Sequence, residues 1–358
     1  MKSVLVAMSG GVDSAVAALL LRKMGWDCRG VTMRLVRGSD LELESHRSCC
    51  SSEDTLDAAD VCGQLGIEHE TVDFSALFRY RVISRFCSEY ERGRTPNPCI
   101  DCNRFLKFEA LLDYALDAGC DAIATGHYAR VTRSGTGRWE LRRARDARKD
   151  QSYVLTMLSQ EQLGRLELPL GELTKDECRK LAAQAGLVVA NKPDSQDICF
   201  LPGRDYGAFW ERWTGRQLER GAILDENGRV LGSHRGALCY TPGQRRGLGV
   251  SAPEPLYVLA KDMAANTVTV GGAASLYRRE LLADGMNWLS IPQPEGAIRA
   301  QACARYHGPC AACRVTPLPG GRARVVFDEP QRALTPGQTL ALYDGELVLG
   351  GGTIAEVL

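Results

Sequence analysis

Short apolar runs alternate with amphipathic stretches along the first 130 residues or so. "SVLVAM" reads as a buried strand. "DSAVAALLLRKMG" reads as an amphipathic helix stopped by Gly25. "CRGVTMRL" predicts a second strand, "EDTLDAADVCGQLG" a helix closed by Gly66, and "EHETVDF" a third strand. Helical "LFRYRVISRFCSEYERG" and "FLKFEALLDYALDAG" precede one more strand, "DAIATGH". Strands separated by crossover helices imply a parallel sheet covered on both faces, with ligands at the carboxyl ends of its strands.

Helical "SQEQLGRL" and "TKDECRKLAAQAG" follow, then the looser "NKPDSQDICFLPGRD". From about Gly236 the texture changes. "PLYVLAKD", "TVTVGG", "RARVVFD" and "TLALYDGELVLGG" are short strand-like runs separated by turns, the pattern of small antiparallel sheets or barrels. Boundaries near 205 and 280 divide the chain into 1–205, 206–280 and 281–358.

A length of 358 residues fits two or three domains, and 44% hydrophobic with 25% charged residues fits a soluble protein. No run approaches the roughly 20 apolar residues that span a bilayer. The first strand starts almost at once, leaving no room for a leader, so the expected location is cytoplasmic. In a reducing compartment most of the 14 cysteines should be small buried residues. Cys28, Cys62, Cys87, Cys120, Cys178 and Cys239 sit in apolar or periodic segments and are read that way.

Net charge is zero, but its distribution is uneven. Residues 130–149 carry eight basic side chains against Glu140 and Asp146, and 299–324 carry five arginines and no acid. Such stripes suit a phosphate backbone or are simply scattered surface arginines.

Two short stretches carry chemistry. "SGGVDS", Ser9 to Ser14, sits between the first strand and the first helix. Its glycines permit a tight turn, and the helix start aims N–H groups at an anion. It lacks the Gly-Lys-Ser/Thr of a Walker A loop; the bland alternative is a turn capped by Asp13 or Ser14. "TPNPCIDCN" places Cys99 and Cys102 three apart before a helix. That spacing alone is open to structural zinc, a disulfide, a redox couple, an iron–sulfur ligand set or a sulfur-carrying nucleophile.

"SGGVDS" resembles the PP-loop of ATP pyrophosphatases. Together with "GRTPNPC", "CNRFLKF", "ATGHYAR", "KDQSYVL", "DSQDICF", "GQRRGLG", "FDEPQRALTPGQ" and "LGGGTI", it makes nearly the whole chain similar to the tRNA-specific 2-thiouridylases. The resemblance implies an α/β, Rossmann-like PP-loop catalytic domain, a small, mostly β, tRNA-binding central domain and a C-terminal antiparallel β-barrel. It implies ATP-dependent replacement of the C2 oxygen of a wobble uridine by sulfur. Cys199 would carry the sulfur as a persulfide, and Cys102 would release it by forming a disulfide with Cys199.

By the same resemblance, the nucleotide lies on Ala7, Met8, Ser9, Gly10, Gly11, Val12, Asp13 and Ser14, with Met33 and Gly126 near the adenine and ribose. Asp13 helps hold Mg2+. Asn97, Pro98 and Cys99 flank the target base. His127, Lys149, Asp150, Gln151, Arg305, Tyr306 and Gln338 contact tRNA. His127 is otherwise an ordinary strand-end cap. The implied partners are the tRNA anticodon loop and a sulfur-donor protein, with no membrane, and the chain is expected to act as a monomer.

One position departs from the family pattern: Cys99 stands where aspartate is usual. Either it replaces the acid and leaves the relay unchanged, or Cys99, Cys102 and Cys199 hold a [4Fe–4S] cluster with one open iron. Zinc lacks an identifiable fourth ligand. Cys303, Cys310 and Cys313 are read as structural, with a metal as the minority alternative, and Cys49 and Cys50 carry no assignment. Two other functions stand as alternatives. Another PP-loop ligase or amidating enzyme would need no paired cysteines, and a non-catalytic tRNA-binding sulfur carrier would not need an intact "SGGVDS".

Overall fold

A computed structural model describes residues 2–36, 52–194, 198–201, 203 and 205–358. Cys49 and Cys50, and Ser195 to Asp197 of "DSQDICF", lie outside the described residues. Strands β1 (Ser3–Ala7), β2 (Asp27–Arg34), β3 (Glu68–Asp73), β4 (Ala122–Ala124), β5 (Ala129–Arg133), β6 (Trp139–Arg143) and β7 (Leu166–Glu167) belong to the first 205 residues. Five of them form the expected parallel sheet, in the order β3-β2-β1-β4-β7. Helix α1 (Val12–Lys23) follows β1 and α2 (Ser52–Leu65) precedes β3. Almost every side of α1 is covered: Ala15, Val16, Ala17 and Ala18 are fully buried. Small residues let the helix lie close to the sheet and to the helix Lys175–Gln184. Chain order reverses between β1 and β4, where parallel sheets open a ligand crevice.

The central segment contains the helix Tyr206–Thr214 and strands β8 (Gly221–Leu224), β9 (Val230–His234), β10 (Tyr257–Asp262) and β11 (Thr267–Gly271), in the order β10-β11-β8-β9. Then come β12 (Tyr277–Trp288), β13 (Ile298–Cys303), β14 (Cys310–Leu318), β15 (Arg322–Arg332), β16 (Thr339–Asp344) and β17 (Leu347–Val357). They pair antiparallel as β12-β15-β14-β13-β16-β17, and β12 also pairs β17, closing a six-stranded barrel. Leu281, Val315, Val325, Phe327 and Ile354 fill it.

The hairpin β5–β6 has no counterpart in the sequence reading. It leaves the parallel sheet and joins the barrel, Arg142 lying opposite Leu347 of β17. β7, read as the end of a helix, is the fifth parallel strand. The helical stretch after Cys99 starts as Pro98–Asp101 and is wound i→i+5 over Cys102–Ala110 before Leu111–Asp117 resumes α geometry. Periodicity cannot distinguish such winding.

Side chains bonded to backbone carbonyls hold the barrel against the first domain. Arg138 donates to the carbonyls of Leu289 (3.1 Å) and Trp288 (2.9 Å), and Asn287 to those of Thr156 and Leu158, each at 2.8 Å. Tyr153 O–H donates to Thr339 (2.6 Å), and Gln338 Nε2 to Thr95 (2.6 Å).

Lys261 on β10 marks a weaker contact. Its Nζ is buried without a hydrogen-bond partner, 5.8 Å from the centre of the Tyr90 ring. Burial pushes its pKa down to about 8, while the nearby Cys239 pulls it up. A lysine whose folded pKa is depressed loses stability as pH falls from its unfolded value, near 10.5, through 8. Lys261→Met should therefore raise the thermal unfolding midpoint. The gain should be larger at about pH 6.5 than at about pH 9.5. An equal change at both pH values would show that no charge is buried here.

Candidate active site

The loop after β1 has the form an anion site needs. Gly10 takes φ +66°, and a Cβ there would lie 2.7 Å from the Asp54 Cα. Gly11 is the N-cap of α1, with extended backbone and no side chain capping the helix. The Ser14 hydroxyl turns back to the Gly11 carbonyl (3.0 Å) and accepts from Ser9 N (3.1 Å). The N-cap is Gly11 rather than Asp13 or Ser14, so the residue that starts α1 supplies no side-chain cap of its own. Gly126, beyond β4, presses on the start of α1: a Cβ there would lie 2.7 Å from Ser14 N. Met8, Val12 and Met33 are buried beneath the loop, and Ala7 ends β1.

Below the loop lies an ionic network centred on a buried lysine. Lys175 is only 7% exposed, and its Nζ reaches both oxygens of Asp13 (2.7 and 2.8 Å) and Asp194 Oδ1 (2.9 Å). Tyr128 O–H also donates to Asp13 (2.8 Å). Asp194 receives Lys149 (2.8 Å) and Arg179 (2.8 Å) as well. Burial raises the Asp194 pKa, but the hydrogen bonds from Lys149 and Lys175 outweigh it and hold the carboxyl at about 2. Asp13 is thus already engaged by Lys175 and Tyr128, and a magnesium ion on it would have to share the carboxylate with that ammonium.

The three residues of "KDQ" all turn inward. Lys149 holds Asp194, and Asp150 pairs with Arg143 (3.1 Å) while accepting from Ala144 N and the Ser152 hydroxyl. Gln151 Oε1 accepts from Tyr128 N (2.9 Å) and its side chain also meets the Tyr306 hydroxyl. Tyr306 lies tilted against Tyr153, ring centres 5.6 Å apart, and in the neighbourhood of Cys99. It sits with Arg305 in the β13–β14 loop, which a Cys303–Cys310 disulfide closes; Cys313 stays buried behind it. Arg143 rests on the Tyr343 ring at 3.6 Å and donates to Cys310 Sγ at 3.1 Å.

Asn97 caps the helix that carries the cysteines, its Oδ1 accepting from Cys99 N (3.1 Å), and buried Pro98 fills the first turn. Cys99 is exposed, and Cys102 and Cys199 are half-buried. Cys102 and Cys199 pack against the same apolar cluster, although 97 positions separate them. Asp101, between the two cysteines, is buried, and burial lifts its pKa to about 6 against the pull of Arg85. His127 is buried beside Phe108 with Nδ1 on Thr125 Oγ1 (2.8 Å). Burial, and then Lys107, push its pKa well below the usual range, so the ring is neutral. Gln338 is taken up by Thr95. Among the described residues no three His, Cys, Asp or Glu side chains stand together as a metal ligand set.

Sequence reasoning missed Lys175, Tyr128, Arg143 and the Cys303–Cys310 pair. Lys175 left one signal: a lysine in the first turn of a helix, where the dipole disfavours a cation, calls for acidic partners elsewhere. The other three depend on the β5–β6 hairpin and the barrel register.

Three family models match the chain: a tRNA methyl transferase HUP domain over residues 2–203, a tRNA methyl transferase PRC-barrel domain over 209–272 and an aminomethyltransferase beta-barrel domain over 278–354. A tRNA-specific 2-thiouridylase MnmA of Geotalea uraniireducens is 49% identical, covering 100% of this chain and 96% of that protein. Its counterpart in Symbiobacterium thermophilum is 46% identical over 100% and 93%, and that of Acetivibrio thermocellus 45% over 99% and 99%. A solved 4-thiouridine synthetase–RNA complex with bound ATP superposes with a TM-score of only 0.37 at 18% identity, over 60% of this chain and 50% of that one, too loose to argue from. Full-length identity near one half, across all three domains, places the chain in the tRNA-specific 2-thiouridylase family.

Proposed function

We propose that the protein thiolates C2 of a tRNA uridine at the expense of ATP. The observation that carries the reading is the glycine-built loop at the sheet's switch point, with a glycine as the N-cap of α1, in a chain whose two motif cysteines pack against one core. ATP lies with its phosphates on Ser9 to Ser14. The uridine C2 oxygen attacks the α-phosphate, pyrophosphate leaves, and the poor leaving group becomes a good one. A persulfide on Cys199 then attacks C2 with its terminal sulfur, and AMP departs with the oxygen. The Cys102 thiolate attacks Cys199 Sγ; the sulfur–sulfur bond to the substrate breaks, 2-thiouridine leaves, and a Cys102–Cys199 disulfide remains for a dithiol to reduce. Methyl transfer, the term in two of the family descriptions, needs neither this loop nor the cysteines.

The alternative is a [4Fe–4S] cluster on Cys99, Cys102 and Cys199; the persulfide relay is favoured because no group of three metal-ligating side chains is found among the described residues. Cys99 in this reading stands beside the target base with Asn97 and Pro98. Arg305 and Tyr306 face the anticodon loop; Lys149, Asp150, Gln151 and Gln338 set the shape of the tRNA-facing wall through the bonds described above. His127 buttresses that wall as a neutral side chain. A separate protein supplies the sulfur, the enzyme acts as a monomer in the cytoplasm, and the domains divide near 205 and 280.

Three measurements bear on this. Gly10→Ala forces an L-residue into left-handed backbone and against Asp54, so tRNA-dependent AMP release should fall by about a hundredfold or more; a change within threefold would contradict phosphate binding there. Cys102→Ser and Cys199→Ser should each keep ATP affinity and lose thiolation. Retained thiolation in either would sink the relay. Anaerobic purification followed by iron and sulfide analysis should find neither in active enzyme; one stoichiometric cluster required for activity would replace the persulfide route.

A further inference from the structure

The two basic stripes prominent in the sequence are largely neutralised by folding. Arg130 meets Glu172 and Glu346, Arg145 meets Glu177, and Lys149 meets Asp194. In the barrel, Arg299, Arg322 and Arg324 pair with Asp328, Asp284 and Glu280. A different surface keeps its charge.

Tyr80 and Arg81 lie in a helical turn, Arg79–Ile83, that packs against the helix bearing Cys102. Tyr80 is 70% exposed. The Arg81 guanidinium stands 5.6 Å from the Tyr80 ring centre and 5.1 Å from that of Phe105, and the Arg104 guanidinium lies 5.0 Å from Phe105. Neither Arg81 nor Arg104 has a carboxylate within ion-pair distance among the described residues. Just beyond, Arg79 lies over the Trp213 ring at 5.0 Å. Exposed guanidinium groups alternating with aromatic rings are the chemistry that binds unpaired nucleotides. Rings stack on bases, and arginines take the phosphates between them.

Phe105 is three positions beyond Cys102 on the same helix, less than a full turn and about 4 Å along the axis, which is within reach of a nucleotide flanking the one at the cysteines. We infer that Tyr80, Arg81, Phe105 and Arg104 form a single-stranded RNA subsite for a nucleotide adjacent to the target uridine, Tyr80 stacking on its base and the two arginines holding its phosphates. The inference rests on the tRNA-thiolation reading and deepens it. An acidic protein partner would answer the charge but leave the exposed Tyr80 face unused.

The test is tRNA binding by fluorescence anisotropy at several salt concentrations, with ATP affinity as the folding control. Arg81→Ala/Arg104→Ala should weaken binding about tenfold. It should also make the plot of log affinity against log salt shallower by about 1.4, two phosphates at about 0.7 each for single strands. Tyr80→Ala should weaken binding about tenfold with the slope unchanged, and Tyr80→Phe should restore it, since the ring and not the hydroxyl is used. Affinities within twofold of wild type for the arginine and alanine variants would overturn the subsite while leaving the thiolation reading intact. Intact tRNA affinity with loss of turnover from a protein sulfur donor, rescued by a small-molecule persulfide, would assign the patch to a protein and overturn it too. A wild-type chain that binds no tRNA would bring down both readings.

Discussion

A single buried ammonium joins the loop after β1 to the stretch of chain that precedes Cys199. Lys175 lies between Asp13, in the loop after β1, and Asp194, five residues before Cys199. All three of its protons are directed to carboxylate oxygens. Two carboxylates and three cations share the cluster, which suits a site meant to receive a polyanion. Removing the ammonium would leave Asp13 with Tyr128, and Asp194 with Lys149 and Arg179. The loop after β1 and Asp194 are therefore not positioned independently.

A second constraint ties the barrel to this centre. Gln151 bonds the backbone of Tyr128, whose hydroxyl bonds Asp13, and it also meets Tyr306 of the barrel loop beside Cys99. Gln338 and Tyr153 bridge the same seam through backbone carbonyls. These bonds set where the β13–β14 loop stands relative to the cysteines. In the proposed function that placement decides which base reaches C2 chemistry.

Much of this could be read from the chain, for identifiable reasons. The βα alternation, the glycine loop and the barrel texture follow from local periodicity and turn chemistry, and the parallel sheet and closed barrel agree with them. The motif string identified the family that the full-length relatives support. Other features were not local. The β5–β6 hairpin has strand character, but nothing in its own residues says that it pairs with β17, more than 200 positions away. β7 is two residues long, too short for periodicity to reveal. The charge stripes misled because ion pairing is tertiary: Arg130 finds Glu346 only after the barrel docks. Likewise the Cys303–Cys310 partnership follows from strand register, while sequence spacing drew the eye to Cys310 and Cys313.

The central claim is that ATP cleavage at the β1 loop and sulfur delivery at the cysteines are one reaction on tRNA uridine. The most direct measurement is nucleoside mass analysis of unmodified tRNA after incubation with enzyme, ATP and a persulfide donor, with AMP quantified in the same tube. The account predicts uridine heavier by an oxygen-to-sulfur exchange, with one AMP formed for each. A mass gain of one methyl group, or sulfur incorporated without AMP, would contradict it.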